Sequence, residues 1–221
     1  MNKITIEGLT KRIKGNIILD NINIELHGGK IYGLVGRNGS GKTMLIRSIA
    51  GLMKQSEGRI LYNGKELYKD IDLIPRLSLV IENIGLYPEF SGFKNLKMLA
   101  DIRKIIDDKQ IKSTMEAVGL DPDDKRKVRK YSLGMRQKLV LAQAFMENPD
   151  VILLDEPTNA LDENAVKLIY DLCEKAVQRN AIIVIASHNK EDISQLCDEK
   201  YFICEGKCFI CLLYTSDAAD D

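Results

Sequence analysis

Residues 36–43 read Gly36-Arg37-Asn38-Gly39-Ser40-Gly41-Lys42-Thr43, between an apolar stretch ending at Val35 and a helical pattern from Met44 to Ala50. Glycines at 36, 39 and 41 let the backbone turn tightly, so that several N–H groups converge on one anion at a helix N-terminus. Lys42 is placed to reach the β- and γ-phosphates of a nucleotide, and the Thr43 hydroxyl to ligand Mg²⁺. The bare spacing can arise by chance, but the strand–loop–helix context selects the phosphate-binding reading. A nucleoside triphosphate is therefore the expected ligand.

The chain has 221 residues, 45% of them hydrophobic, enough to bury a core in one domain or in one domain with an inserted lobe. Its 32 basic and 32 acidic residues balance. No global field therefore favours nucleic acid or an anionic membrane, and no nucleic-acid partner is expected. Apolar runs are about strand length, far short of the roughly 20 residues that span a bilayer, and Met1-Asn2-Lys3 opens no cleavable signal pattern. A cytoplasmic location is expected, with any membrane role supplied by a partner.

Five cysteines stand at 173, 197, 204, 208 and 211. The spacing of Cys204, Cys208 and Cys211 invites a metal reading, but a fourth ligand is missing, and reduced thiols are the expectation. The tail 211–221, Cys-Leu-Leu-Tyr-Thr-Ser-Asp-Ala-Ala-Asp-Asp, resembles the translated read-through of a transposase-type sequencing adapter. It is read as an artefact, with the native chain running on from about Ile210 in mid-strand.

Runs rich in Ile and Val predict strands over 4–9, 22–26, 31–35, 59–62, 77–81, 151–154 and 181–186. Asn63-Gly64 marks a tight turn. Unbroken apolar runs such as 182–185 suit the centre of a parallel sheet covered on both faces. Helical patterns occupy 94–105, 108–118, 134–147 and 162–179. In the last, Ala165, Ile169, Leu172 and Ala176 form a core stripe. Strands cluster at both ends and helices fill roughly 90–145. The expected fold is thus α/β, a mostly parallel sheet with an antiparallel β subdomain and an inserted helical lobe, all within 1–210.

Residues 151–156 form an apolar strand ending in Asp155 and Glu156. Carboxylates at the C-terminal end of such a strand face the crevice where α/β sheets hold ligands. Asp155 is a candidate Mg²⁺ ligand and Glu156 a candidate to polarise the water attacking the γ-phosphate. Ser132, in Tyr131-Ser-Leu-Gly-Met135, reads equally as a helix N-cap or as a hydroxyl turned to phosphate.

The ordered set of phosphate loop, Tyr131–Met135, Asp155-Glu156, Asn159-Ala-Leu-Asp162 and His188 resembles the nucleotide-binding domain of ATP-binding-cassette (ABC) transporters, across essentially all of residues 1–210. The resemblance implies a P-loop NTPase core and ATP hydrolysis with Mg²⁺. It places Tyr131–Met135 at the signature motif, 159–162 at the D-loop and His188 as a switch histidine contacting the γ-phosphate. Lys42, Glu156 and His188 are then the catalytic candidates. Ser132 and Gly134 would bind the nucleotide held by a second copy, so two copies sandwich two nucleotides. The N-terminus of the signature helix, carrying about half a positive charge, suits that anion. A separate transmembrane permease would receive the motion, at the inner face of the membrane.

Three positions depart from the common family pattern. Glu82 stands where Gln is usual; it can still ligand Mg²⁺ or hold the water, but when ionised it donates no hydrogen bond. Together with Leu86-Tyr87-Pro88 and the Tyr-Ser-Leu-Gly-Met segment, it resembles the subgroup acting on bacitracin-like and lantibiotic peptides. No aromatic stands near Ile13 to stack on adenine, which makes weak ATP-over-GTP preference an expectation. Leu133 and Met135 replace the usual Gly and Gln. The apolar cluster Leu86, Tyr87, Pro88 and Phe90 reads as core or as a surface for the permease. The basic run 124–130 reads as a solvated linker. The competing function is a soluble ABC ATPase of repair, translation or iron–sulfur assembly.

Overall fold

A computed structural model of the chain describes residues 1–81, 85–188 and 190–210. Glu82 and the tail 211–221 lie outside the described residues. The chain runs β1 (Lys3–Ile13), β2 (Asn16–His27), β3 (Lys30–Val35), α1 (Lys42–Ile49), β4 (Glu57–Tyr62), β5 (Lys65–Glu66) and β6 (Leu77–Val80). Then follow α2 (Gly92–Arg103), α3 (Asp108–Ala117), α4 (Leu133–Phe145), β7 (Val151–Asp155), α5 (Glu163–Gln178), β8 (Ile182–Ser187), α6 (Lys190–Leu196), β9 (Glu199–Cys204) and β10 (Lys207–Ile210).

Two sheets form. One is antiparallel in the order β2-β1-β4-β5, and the other runs β10-β9-β3-β8-β7-β6. In the second, β9, β3, β8, β7 and β6 are parallel and only β10 is antiparallel. Its central strands are buried on both faces, and their alternation supplies two cores. From β8, Ile183 and Ile185 join the side packed with α2 to α5, while Ile182, Val184 and Ala186 join the side holding α1 and the antiparallel sheet. Strand β7 divides likewise, Ile152 and Leu154 against Val151 and Leu153. Period-2 side-chain geometry makes both assignments obligatory once the register is set.

The segment expected as a helical lobe holds α2, α3 and α4, each opened by a side-chain cap. Ser91 Oγ accepts from Lys94 N, Asp107 Oδ1 from Gln110 N at 2.8 Å and Ser132 Oγ from Met135 N at 3.2 Å. Each satisfies one of the orphan donors of a helix start. The expected stripe of α5 is in place: Ala165, Ile169 and Ala176 are buried, with Cys173 beside them and Leu172 partly covered.

Differences from the expected boundaries have local causes. Strands β1 and β2 run past their apolar cores to meet at Lys14-Gly15, whose φ values of 48° and 86° close a hairpin as Asn63-Gly64 does with 50° and 80°. Glu205-Gly206 repeats the geometry with 48° and 77° between β9, which the sequence pattern did not resolve, and β10, the strand expected at Ile210. No described helix is long and apolar enough to cross a membrane. The basic run is partly neutralised at close range: Arg126 forks onto Asp124, and Lys127 and Arg129 face Glu89.

Two outcomes follow from this packing. Ile183→Ala, in the fully buried centre of the sheet, is expected to lower unfolding free energy by about 2–5 kcal/mol in a urea titration. Cys173 is buried and its thiol pKa is raised by desolvation; burial pushes the Cys208 thiol up to about 12, whereas Cys204 is exposed. A raised pKa leaves little reactive thiolate near neutrality. Peptide mapping after brief alkylation at pH 8 should therefore find Cys204 modified before Cys173 and Cys208.

Candidate functional site

The loop from Gly36 to Gly41 leaves the end of β3 and enters α1. Its shape depends on missing side chains at two points. A Cβ on Gly36 would strike the Ile203 carbonyl of β9 and come within 2.6 Å of Ser40 Oγ. Gly41 caps α1 at φ 112°, with Leu19 Cδ2 3.0 Å from where a Cβ would stand. Ser40 O accepts from Gly206 N at 3.1 Å, and Gly206 O accepts from Asp20 N at 2.9 Å, so the loop is braced by two hairpins from distant parts of the chain. The Ser40 hydroxyl is buried with no hydrogen-bond partner among the described residues, and Arg37 is exposed.

Lys42 is buried at the centre. Its Nζ donates to Gly36 O at 2.7 Å and Arg37 O at 3.2 Å. Thr43 Oγ1 donates to Asp155 Oδ2 at 2.6 Å, joining the first turn of α1 to the end of β7. Asp155 is itself buried. The next residue, Glu156, turns at φ 50° and anchors its N–H on Ala186 O of the neighbouring strand. That turn presents the carboxylate to the end of β8. Glu156 Oε2 lies 2.8 Å from His188 Nδ1 and accepts from Ser187 Oγ at 3.3 Å, while Oε1 accepts from His188 N at 3.0 Å.

These groups border a cavity of about 620 Å³ whose lining includes Asn38, Gly39, Gly41, Lys42, Thr43, Asp155, Glu156 and His188. Residues from three distant chain segments thus meet in one place. Ser132 and Gly134 do not line it; they sit at the N-terminus of α4, beside a second cavity of about 860 Å³ that meets the first at Asp155, Glu156 and Asn159. In the fold, Ser132 takes the N-cap role. Gly134 is packed so closely on the next loop that a Cβ would lie 3.0 Å from Ala160 O. Asp162 serves locally too, its Oδ1 accepting from Ala165 N at 2.8 Å to cap α5.

Several lining residues escaped the sequence reading. Ile18, Met44 and Arg47 also border the nucleotide-sized cavity. Arg47 was findable, since it follows Thr43 by one helical turn. Ile18 was not, because only the tertiary approach of β2 to Gly41 brings it there. Ile13, at the β1–β2 turn, is 37% exposed.

Residues 19–159 match the family model described as ABC transporter. The chain belongs to the ABC transporter family. It is 48% identical over 195 residues to an uncharacterized ABC transporter ATP-binding protein, YybJ of Bacillus subtilis, covering 88% of this chain and 89% of that one. It is 39% identical over 204 residues to the bacitracin transport ATP-binding protein BcrA of Bacillus licheniformis, covering 90% of this chain and 66% of the relative. The lantibiotic transport ATP-binding protein SrtF of Streptococcus pyogenes is 33% identical over 202 residues, covering 91% and 87%. Among solved structures, an ATP binding subunit of an ABC transporter superposes with a TM-score of 0.85 at 21% identity, over 94% of this chain and 90% of the other. The dimeric MJ0796 cassette gives 0.82 at 22%, over 92% and 95%. These two carry the fold alone: the mixed sheet, antiparallel subdomain and helices are those of the P-loop cassette. As a family member the cassette is the ATP-binding, ATP-hydrolysing subunit of a transporter, and the soluble repair, translation or iron–sulfur role is not favoured.

The loop geometry gives an ordered outcome. Gly41→Ala meets both a positive φ and an apolar clash, whereas Gly39→Ala, at φ 80°, meets open space. Gly39→Ala is expected to cost about 1–2 kcal/mol of backbone strain. Gly41→Ala should weaken nucleotide binding about tenfold beyond that, as read by titration with a fluorescent ATP analogue.

Proposed function

We propose that this cassette hydrolyses Mg-ATP to drive export of antibiotic or peptide substrates through a separate membrane permease, acting as a head-to-tail pair at the inner face of the membrane. The single observation carrying the reading is the convergence of Lys42, Thr43, Asp155, Glu156 and His188 on one cavity. The names of the bacitracin and lantibiotic relatives support the choice of cargo class.

In this reading Gly36 to Thr43 bind the nucleotide. Backbone N–H groups of Arg37, Asn38, Gly39, Ser40 and Gly41 surround the β-phosphate at the start of α1, where the helix dipole favours an anion. Lys42 exchanges its two carbonyl partners for phosphate oxygens, a stronger charge-assisted bond. Thr43 Oγ1 and Asp155 Oδ2 are hard oxygen donors already in contact, a set suited to Mg²⁺, which binds through one or two protein oxygens plus substrate phosphates. Bound there, the ion supplies Lewis-acid neutralisation of phosphate charge. Glu82 completes the proposed metal set.

Glu156 holds and polarises the attacking water, and His188 contacts the γ-phosphate. The His188–Glu156 contact means that both must turn from each other toward substrate for turnover. Ser132 and Gly134, absent from their own chain's nucleotide cavity, serve the partner's γ-phosphate. Tyr87 and Phe90, 52% and 40% exposed with ring centroids 6.2 Å apart, offer the permease an apolar contact.

Phosphate release from the purified chain tests the enzyme. Glu156→Gln keeps shape and loses the base, so release should fall by about 10²-fold or more while Mg-ATP is still bound. Lys42→Ala should lose binding itself. Undiminished release in Glu156→Gln would overturn the role assigned to that carboxylate.

A further inference from the structure

The second turn of α4 holds a polar contact that nucleotide chemistry does not require. Gln137 Nε2 donates to the Pro157 carbonyl at 3.0 Å, reaching from α4 to the residue immediately after Glu156. One turn earlier, Gly134 packs closely on the Ala160 carbonyl, 3.0 Å from where a Cβ would stand. The same short stretch of helix therefore grips the 156–160 loop at two points, one by hydrogen bond and one by close packing. That loop is tightly wound: Glu156 and Ala160 both adopt left-handed backbone, at φ 50° and 65°, and Asn159 N reaches back to Glu156 O at 3.4 Å. A small shift of the Pro157 peptide therefore redirects the Glu156 side chain, whose carboxylate is in turn bonded to Ser187 and His188.

We propose that Gln137 is a positioning residue that couples the two nucleotide sites of the paired cassette. The inference rests on the paired reading above, in which Ser132 and Gly134 of one copy face the phosphate of the other. A helix of this length moves as a rod. When the α4 N-terminus closes on the partner's nucleotide, Gln137 carries the displacement to Pro157 and so to the Glu156 of its own site. Filling one site then sets the base of the other. The coupling element is a single donated hydrogen bond onto a tightly wound loop, a discrete contact whose loss is read as a change in coupling between the sites.

The donor requirement makes the idea testable. Lysine at 137 still donates on a flexible stem; glutamate, ionised at pH 8, only accepts and would face a carbonyl. The ATP dependence of phosphate release is measured for the wild-type chain, Gln137→Ala, Gln137→Lys and Gln137→Glu, with the melting temperature of each. Wild type should be sigmoidal. Gln137→Ala and Gln137→Glu should become hyperbolic and need about fivefold more ATP for half-maximal rate, the lower end of ordinary coupling strengths. Gln137→Lys should stay sigmoidal. Binding of a fluorescent ATP analogue to dilute, unpaired chain should be equal in all four, which a merely structural role would not preserve. A sigmoidal Gln137→Ala, or Lys and Glu variants that behave alike, overturns the role of Gln137 while leaving pairing intact. A hyperbolic wild type, with Glu156→Gln monomeric in Mg-ATP by sedimentation, overturns the paired reading and this inference with it.

Discussion

The hydrogen bond from Thr43 to Asp155 at 2.6 Å spans 112 positions of sequence, and most of the architecture exists to allow it. Thr43 starts the helix after β3, and Asp155 ends β7. Between those strands lies β8, so three parallel strands must finish at the same level for the two side chains to meet. The register does this: Val35 lies beside Ser187, and Asp155 beside Ala186. Glu156 and His188 each follow the end of their strand, and the left-handed turn at Glu156, anchored on Ala186 O, brings the carboxylate to the histidine. The apolar cost of assembling such a layer is met by burying it on both faces, one under α1 and the antiparallel sheet, the other under the helices.

What was legible in the sequence is what short-range backbone chemistry determines. The 36–43 loop, the two acids after an apolar strand and the core stripe of α5 are all local patterns, and the structure places each where its pattern points. Ser132 could be read either way from its residues; in the fold its hydroxyl caps α4. The illegible parts are long-range. Nothing near Ile18 announces that it borders the phosphate loop, and nothing in Gln137 announces Pro157. Strand β9 escaped, and β10 showed only as the strand at Ile210, because these six- and four-residue segments lack the unbroken Ile/Val runs that mark the other strands. The glycine at 36 carries a double reason, a tight turn and the nearness of Ile203, of which only the first shows in sequence.

The surface around Tyr87 and Phe90 is held in place by a buried side chain. Asn95, in α2, accepts from Tyr87 N at 2.7 Å and donates to Tyr87 O at 3.1 Å and Ser91 O at 2.9 Å. An amide can satisfy donor and acceptor at once, and here it substitutes for a missing turn of secondary structure. The Leu86–Phe90 cluster divides between core and surface: Leu86 packs on the core and the two rings stay outside. A rigid backbone under exposed aromatics lowers the ordering penalty of any contact they make.

The bracing of Ser40 by Gly206 bears on how the molecule comes into being on the ribosome. The glycine-rich loop is translated early, yet its outer wall, formed by Ile203 and Gly206, is among the last parts of the described chain to be synthesised. Until that hairpin leaves the exit tunnel, the nascent chain carries the loop without its closing hydrogen bond. Closure of the phosphate cradle therefore waits for a segment translated long after the loop itself.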